Sequence, residues 1–236
     1  MSLVKICGLR DPLSAETALT NGADLLGMIL VPNRSRTIDS LEANKIYDLV
    51  QQSRRGKKTI EEIYESSRYG NDNEKVIREI KENGPFLVGV FQNQTIEQIN
   101  DICKVVNFDI VQLHGQEPRK EFIDALEKPV ITRYTLSDSD INQLVTEETQ
   151  DNKKQILTLF DSAVGGEGSV IDWTQIAKLP LIKTEVILAG GLTPENVKEA
   201  MKLNNVCGVD VSSGVETSKV KDQSKIKAFI ENARAV

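Results

Sequence analysis

The sequence predicts an α/β fold, a (β/α)8 TIM barrel in a single domain, and three observations lead there. Short runs rich in Val, Ile and Leu recur at 3–7, 25–31, 86–91, 108–113, 130–134, 156–161, 185–189 and 207–211. Each is followed by a loop and a stretch of helical periodicity, and near-continuous apolar strands alternating with helices make a parallel sheet covered on its outer face. The chain has 236 residues, close to the roughly 250 that eight such units need.

The first strand carries Lys5 and Cys7 on one face and Val4 and Ile6 on the other, because strand side chains alternate. A cation and a thiol thus share the face normally filled by aliphatic residues. Asp11-Pro12 opens the first helix, whose stripe is Ala15, Ala18 and Leu19. The unit after the second strand is oversized: residues 32–85 exceed what one helix and two loops require. A helix at 40–52 accounts for the first part, and a polar insertion occupies about 53–84. Residues 59–69 have the pattern of a short amphipathic helix, Gly70-Asn71-Asp72-Asn73 reads as exposed loop, and the whole excursion is expected opposite the active face and partly mobile. The run Arg54-Arg55-Gly56-Lys57-Lys58 reads as solvated surface, with a basic partner-binding tail as the sharper alternative.

Further along, Thr95 with Glu97 and Gln98 starts a helix carrying Ile96, Ile99, Ile102 and Cys103, which makes Cys103 core. Thr193-Pro194-Glu195 has the form of a cap with proline at the first helical position. Residues 218–224 lead into a last helix with Ile226, Phe229, Ile230 and Ala233 inward.

Composition excludes several function classes. At 39% hydrophobic and 27% charged, the chain can bury a sizeable core. Its net charge is −6 with scattered basic residues, so neither nucleic acid nor a membrane surface is expected as partner. Three widely spaced cysteines support neither a disulfide framework nor a zinc site, which implies a reducing compartment. No apolar run approaches the roughly 18 residues of a membrane span, and a charged strand stands where a secretory signal would be; a cytoplasmic protein is expected. No long exposed apolar stripe is evident, and a monomer is expected.

In such barrels chemistry sits at the C-terminal strand ends. The last two carry Ala189-Gly190-Gly191-Leu192 and Asp210-Val211-Ser212-Ser213-Gly214-Val215-Glu216. Glycines there let backbone N–H groups approach a ligand and serines add hydroxyl donors, the usual means of holding a phosphate. Gly166 and Gly168, in the glycine loop after the sixth strand, are placed to close over the same group. Asp161 ends the file Leu157, Leu159, Asp161, either capping the next loop or acting as an acid or base across from Cys7. Gln112 and His114 end the fourth strand, Arg133 lies in the fifth, and Asp210 ends the eighth. His114 is the only histidine, and a lone histidine serves structure more often than chemistry. The loop after the second strand offers Arg34 and Arg36 to an anion or to solvent.

Lys5-Ile6-Cys7-Gly8, Ser35-Arg36, Val88-Gly89-Val90-Phe91, Val111-Gln112-Leu113-His114-Gly115, the Asp161 strand, Ala189-Gly190-Gly191-Leu192 with Pro194-Glu195-Asn196-Val197, and the segment from Gly208 to Glu216 together resemble the phosphoribosylanthranilate isomerases of tryptophan biosynthesis. The resemblance covers nearly the whole chain; about 52–83 resembles the extra segment of fungal members. Asn33-Arg34 and Glu167 depart from the family pattern. The resemblance implies an Amadori rearrangement of a phosphosugar without metal or other cofactor, Asp161 being the general acid and Cys7 the general base. It also implies that Arg36 meets the anthranilate carboxylate, that Gly190, Gly191, Ser212 and Ser213 hold the phosphate with Gly166 and Gly168 nearby, and that Asp210 lines the sugar pocket with Gln112 and His114. Lys5, beside Cys7, is expected to face the ligand and favour the thiolate, since a free thiol near pKa 8.5 is largely protonated at neutral pH. The alternatives are a phosphosugar isomerase barrel of the histidine-pathway type, whose chemistry resembles that of an aspartate pair where the first strand here ends in Cys7, and a catalytically silent phosphate-binding barrel.

Overall fold

A computed structural model describes residues 2–67, 73–135, 154–161 and 185–235. Eight parallel strands close a barrel in sequence order: β1 (Leu3–Ile6), β2 (Leu25–Ile29), β3 (Phe86–Phe91), β4 (Ile110–Leu113), β5 (Val130–Thr135), β6 (Gln155–Asp161), β7 (Val186–Ala189) and β8 (Val206–Val211). The ring is sealed where β1 pairs with β8, in a register that sets Lys5 beside Asp210. The described helices are α1 (Pro12–Thr20), α2 (Ser40–Ser53), α3 (Ile60–Ser67), α4 (Asn73–Asn83), α5 (Ile96–Cys103), α6 (Arg119–Ala125), α7 (Val197–Ala200) and α8 (Gln223–Arg234). A two-stranded arm, β9 (Glu216–Thr217) and β10 (Val220–Lys221), leads into α8.

Local chemistry explains the element starts. Asp11 accepts the Ser14 N–H ahead of Pro12, and Thr95 with Gln98 forms a reciprocal capping box on α5. One start differs from expectation. Residues 194–196 form a turn rather than a first helical turn, and α7 begins at Val197, because Asn196 Oδ1 accepts the Thr193 N–H at 2.7 Å and its Nδ2 donates to the Gly191 carbonyl at 2.9 Å.

Period two sorts the side chains into two cores. Val4, Ile6, Leu26, Met28 and Val209 face outward onto Ala15, Ala18, Ile46, Val50, Ile226 and Phe229 of the helices. Leu3, Cys7, Val88, Val90, Ile110, Ile131, Leu157, Leu159 and Ile187 fill the interior. Cys103 is half-buried against the outer core.

The insertion departs from the expectation of exposed polar chain. Ile60 and Ile63 of α3, with Val76, Ile77 and Ile80 of α4, join Leu3, Leu25 and Phe86 in the interior core. Those last three residues begin their strands, so the two helices close the N-terminal end of the barrel. Five apolar side chains at helical spacing outweigh the polar composition between them. Gly70, Asn71 and Asp72 lie outside the described residues, and Asn73 begins α4.

The basic run also needs correcting at one position. Arg54 is 6% exposed. Its Nη1 reaches Asp109 at 3.2 Å and 3.3 Å, Nε donates to the Asn83 carbonyl at 3.1 Å and Nη2 to the Lys58 carbonyl at 3.0 Å. The guanidinium also stacks 3.9 Å from the Phe86 ring centroid. Asp109 in turn accepts the Leu87 N–H at 2.7 Å, so Arg54 joins the end of α2, both ends of the insertion and the start of β3. Arg55, by contrast, is exposed. Arg54→Ala strands a buried carboxylate and is expected to lower unfolding stability by about 3–5 kcal/mol in urea titrations, whereas Arg55→Ala stays within about 0.5 kcal/mol. Equal effects of the two substitutions would contradict the structural role of Arg54.

Candidate active site

A cavity of about 450 Å³ opens at the C-terminal strand ends. Cys7, Arg36, Gln112, His114, Asp161, Asp210, Gly190, Gly191, Ser212 and Ser213 all line it, so ten of the residues selected from sequence converge on one space. Gly166 and Gly168 lie outside the described residues. Lys5 is a correction: it is fully buried and does not line the cavity.

Beneath the cavity floor, Lys5 Nζ and Asp210 Oδ1 form an ion pair at 3.0 Å. Burial opposes the Lys5 ammonium most strongly, but Asp210 and Cys7 together outweigh it and hold the lysine pKa above its ordinary value. Burial likewise pushes the Asp210 carboxyl up, against the pull of Lys5. Gly27 of β2 makes room for this cluster. A Cβ there would stand 2.7 Å from Cys7 Sγ and 3.1 Å from Lys5 Nζ, closer than such atoms pack.

Lys5 does not govern the thiol as expected. Burial dominates and raises the Cys7 pKa above the ordinary thiol value; Lys5 pulls it down, Asp210 pushes it up and Lys221 pulls it down. Cys7 is therefore a thiol at neutral pH, with two nearby ammonium groups that would stabilise the thiolate once formed.

On the far wall, Asp161 ends its interior file as period two requires. Arg133 Nε donates to its Oδ2 at 2.9 Å, and Arg133 shares a face of β5 with Ile131 of the interior core. His114 Nε2 stands 3.8 Å from the same oxygen. Burial first, then the Arg133 charge, lower the His114 pKa to about 4, with Asp161 opposing. The imidazole is thus neutral, and its Nδ1 lies 3.3 Å from Gln112 Nε2.

The two final loops have the backbone expected of an anion seat. Gly190 and Gly191 adopt φ of 92° and 65°, the left-handed region where only glycine is unstrained. Gly214 lets the loops touch: a Cβ on it would lie 1.8 Å from the Leu192 carbonyl oxygen. Ser212 Oγ is buried and has no hydrogen-bond partner among the described residues, which leaves it available to a ligand oxygen.

Two charged side chains that contact the site's walls escaped sequence reading. Glu216 accepts from Arg36 Nε at 2.7 Å and Nη2 at 2.9 Å. Lys221 Nζ donates to Glu216 Oε1 at 3.1 Å and to the Ser212 carbonyl at 2.8 Å. Glu216 sat within a recognised segment but had no assigned role; Lys221 belongs to a two-residue strand, too short to show any periodicity.

A family model described as N-(5'phosphoribosyl)anthranilate (PRA) isomerase matches residues 39–232. The N-(5'-phosphoribosyl)anthranilate isomerase of Wickerhamomyces anomalus is 47% identical over 235 residues, which cover 98% of this chain and 99% of that protein. The crystal structure of phosphoribosyl anthranilate isomerase from Thermotoga maritima superposes with a TM-score of 0.74 at 28% identity, with 100% of both chains covered. A phosphoribosyl anthranilate isomerase in complex with reduced 1-(o-carboxyphenylamino)-1-deoxyribulose 5-phosphate gives a TM-score of 0.71 at 28% identity, again with 100% of both chains covered. The histidine-pathway and silent-barrel alternatives are thereby set aside, and the chain belongs to the phosphoribosylanthranilate isomerase family.

Proposed function

We propose that this enzyme converts N-(5'-phosphoribosyl)anthranilate to 1-(2-carboxyphenylamino)-1-deoxyribulose 5-phosphate by general acid-base catalysis, with Asp161 as acid and Cys7 as base. The observation that supports this most directly is the meeting, in one cavity, of a thiol on β1, a carboxylate on β6, a glycine-serine anion seat and an arginine fork. Each matches one part of the substrate. Asp161 protonates the ring oxygen as the C1–O bond breaks, which opens the aminosugar to a Schiff base. Cys7 then removes the C2 proton, and the electron pair neutralises the iminium nitrogen to give the enolamine, which tautomerises to the ketone. Protons taken up and released balance, as an isomerisation requires. Gly190, Gly191, Ser212 and Ser213 hold the phosphate, and Arg36 meets the anthranilate carboxylate with a planar fork. Gln112 and His114 face the sugar, and Asp210 orders Lys5 below it.

A monomer remains our reading of the assembly. Leu13, Leu41, Val105 and Val220 are the exposed large hydrophobics among the described residues, and they fall on separate elements. The three cysteines are free thiols, which suits the reducing cytoplasm. Sedimentation equilibrium should return a mass near 26.2 kDa; twice that mass would replace the monomer with a dimer.

Cys7→Ala and Asp161→Ala are each expected to lower kcat by roughly 10²-fold or more, the scale of a lost proton-transfer group. Normal turnover in both variants would sink the mechanism. Because the Cys7 pKa is raised and only the thiolate accepts a proton, kcat/KM of the wild type should climb as pH rises from neutral. That ascending limb should vanish in Cys7→Ala, and its persistence would assign it to another group. Gly214→Ala should raise KM by about tenfold or more, since the two anion-binding loops must separate to admit the methyl group; steady-state kinetics with an unchanged KM would remove that contact from the phosphate seat.

A further inference from the structure

The Arg36–Glu216 pair admits two opposite readings. The carboxylate either occupies the arginine and must leave before a ligand binds, or it holds the arginine in the pose a ligand needs. The geometry of the fork decides between them. Glu216 takes the side-on edge, Nε and one Nη2 hydrogen. A guanidinium carries five N–H donors, and among the described residues no hydrogen bond reaches Arg36 Nη1. The end-on edge, Nη1 with the second Nη2 hydrogen, is therefore open, and Arg36 borders the cavity. Two carboxylates can share one guanidinium in this way, one on each edge.

Burial points the same way. Glu216 has 6% of its side chain exposed against 31% for Arg36, so Glu216 is the fixed partner and Arg36 the arm that reaches the cavity. Lys221, 3% exposed, bonds the same Glu216 oxygen and also the Ser212 carbonyl of the anion-binding loop. One carboxylate between two cations leaves the trio with a net positive charge, which favours an incoming anion. Arg10 ties the same two segments a second time, through the Ser35 and Lys219 carbonyls.

We propose that Glu216 is a positioning residue: it presents the end-on edge of Arg36 to a ligand carboxylate and, through Lys221, fixes that edge relative to the phosphate loop. Recognition of the carboxylated ring then depends on Glu216 although Glu216 does not touch the ligand. Burial opposes the charge on Glu216, but the Arg36 and Lys221 bonds outweigh it and hold the carboxyl below its usual range, so it remains ionised. The proposal rests on the assignment of the ligand carboxylate to Arg36.

The test compares two ligands by calorimetry: reduced 1-(o-carboxyphenylamino)-1-deoxyribulose 5-phosphate and its phenylamino counterpart without the carboxyl group. Glu216→Gln should weaken the carboxylated ligand by about tenfold, the scale of one charge-assisted contact, and leave the other within about twofold. Glu216→Asp keeps the charge but shortens the reach; it should show the same selective loss to a smaller degree, and it carries the test if the Gln variant is unstable. Tighter binding of the carboxylated ligand in Glu216→Gln would make Glu216 a competitor, and equal weakening of both ligands would make its role merely structural; either overturns the proposal, as does unchanged binding. Arg36→Ala separates the two layers of inference. If it selectively weakens the carboxylated ligand while Glu216→Gln does not, Glu216 is wrong and the Arg36 assignment stands; if Arg36→Ala shows no selectivity, the Arg36 assignment fails.

Discussion

The interaction on which the rest of the site depends is the buried pair of Lys5 and Asp210 across the β1–β8 seam. Two charges out of water are costly to hold, and a close partner makes them tolerable only when both are present. Register makes them so, because Lys5 and Asp210 are direct neighbours where the first and last strands meet. The barrel therefore cannot close in a shifted register without isolating at least one charge in its interior. The same closure places Cys7, two residues beyond Lys5, at the rim, and Ser212, two beyond Asp210, beside it.

Above that pair, the site is a set of fixed charges around a thiol that burial keeps protonated. Desolvation outweighs the lysines at Cys7, so the free enzyme stores little thiolate. Under the proposed mechanism the neighbouring ammonium groups act when negative charge develops rather than before, which is the arrangement that favours a transition state over a resting state. His114 illustrates the complementary case: burial and Arg133 keep it neutral beside Asp161, so it adds polarity to the wall without adding a charge.

Much of this was legible from the chain, and the reasons are physical. Period-two alternation placed Lys5 with Cys7 and Asp161 with Leu157 and Leu159, because a strand leaves a side chain only two directions. Glycines after consecutive strands pointed to the proposed anion seat because few other sequences allow the backbone conformation found there. What escaped were partnerships across the chain. Arg36 and Glu216 are 180 positions apart, and Arg54 meets Asp109 55 positions away; no local pattern records either. The isoleucines of α3 and α4 were visible at helical spacing, but the surrounding polar residues disguised which surface they would cover. Lys5 was assigned the right face and the wrong depth, since parity gives a direction and no distance.

The cap formed by α3 and α4 has a consequence for traffic. With Ile60, Ile63, Val76, Ile77 and Ile80 packed beneath Leu3, Leu25 and Phe86, the barrel has a floor of hydrocarbon, through which neither ions nor water pass readily. Among the described residues, the barrel interior is then reached from the C-terminal rim, where the cavity opens. The proton transfers of the proposed mechanism are then confined to the rim, where the cavity lies, with the length of the barrel between them and the floor.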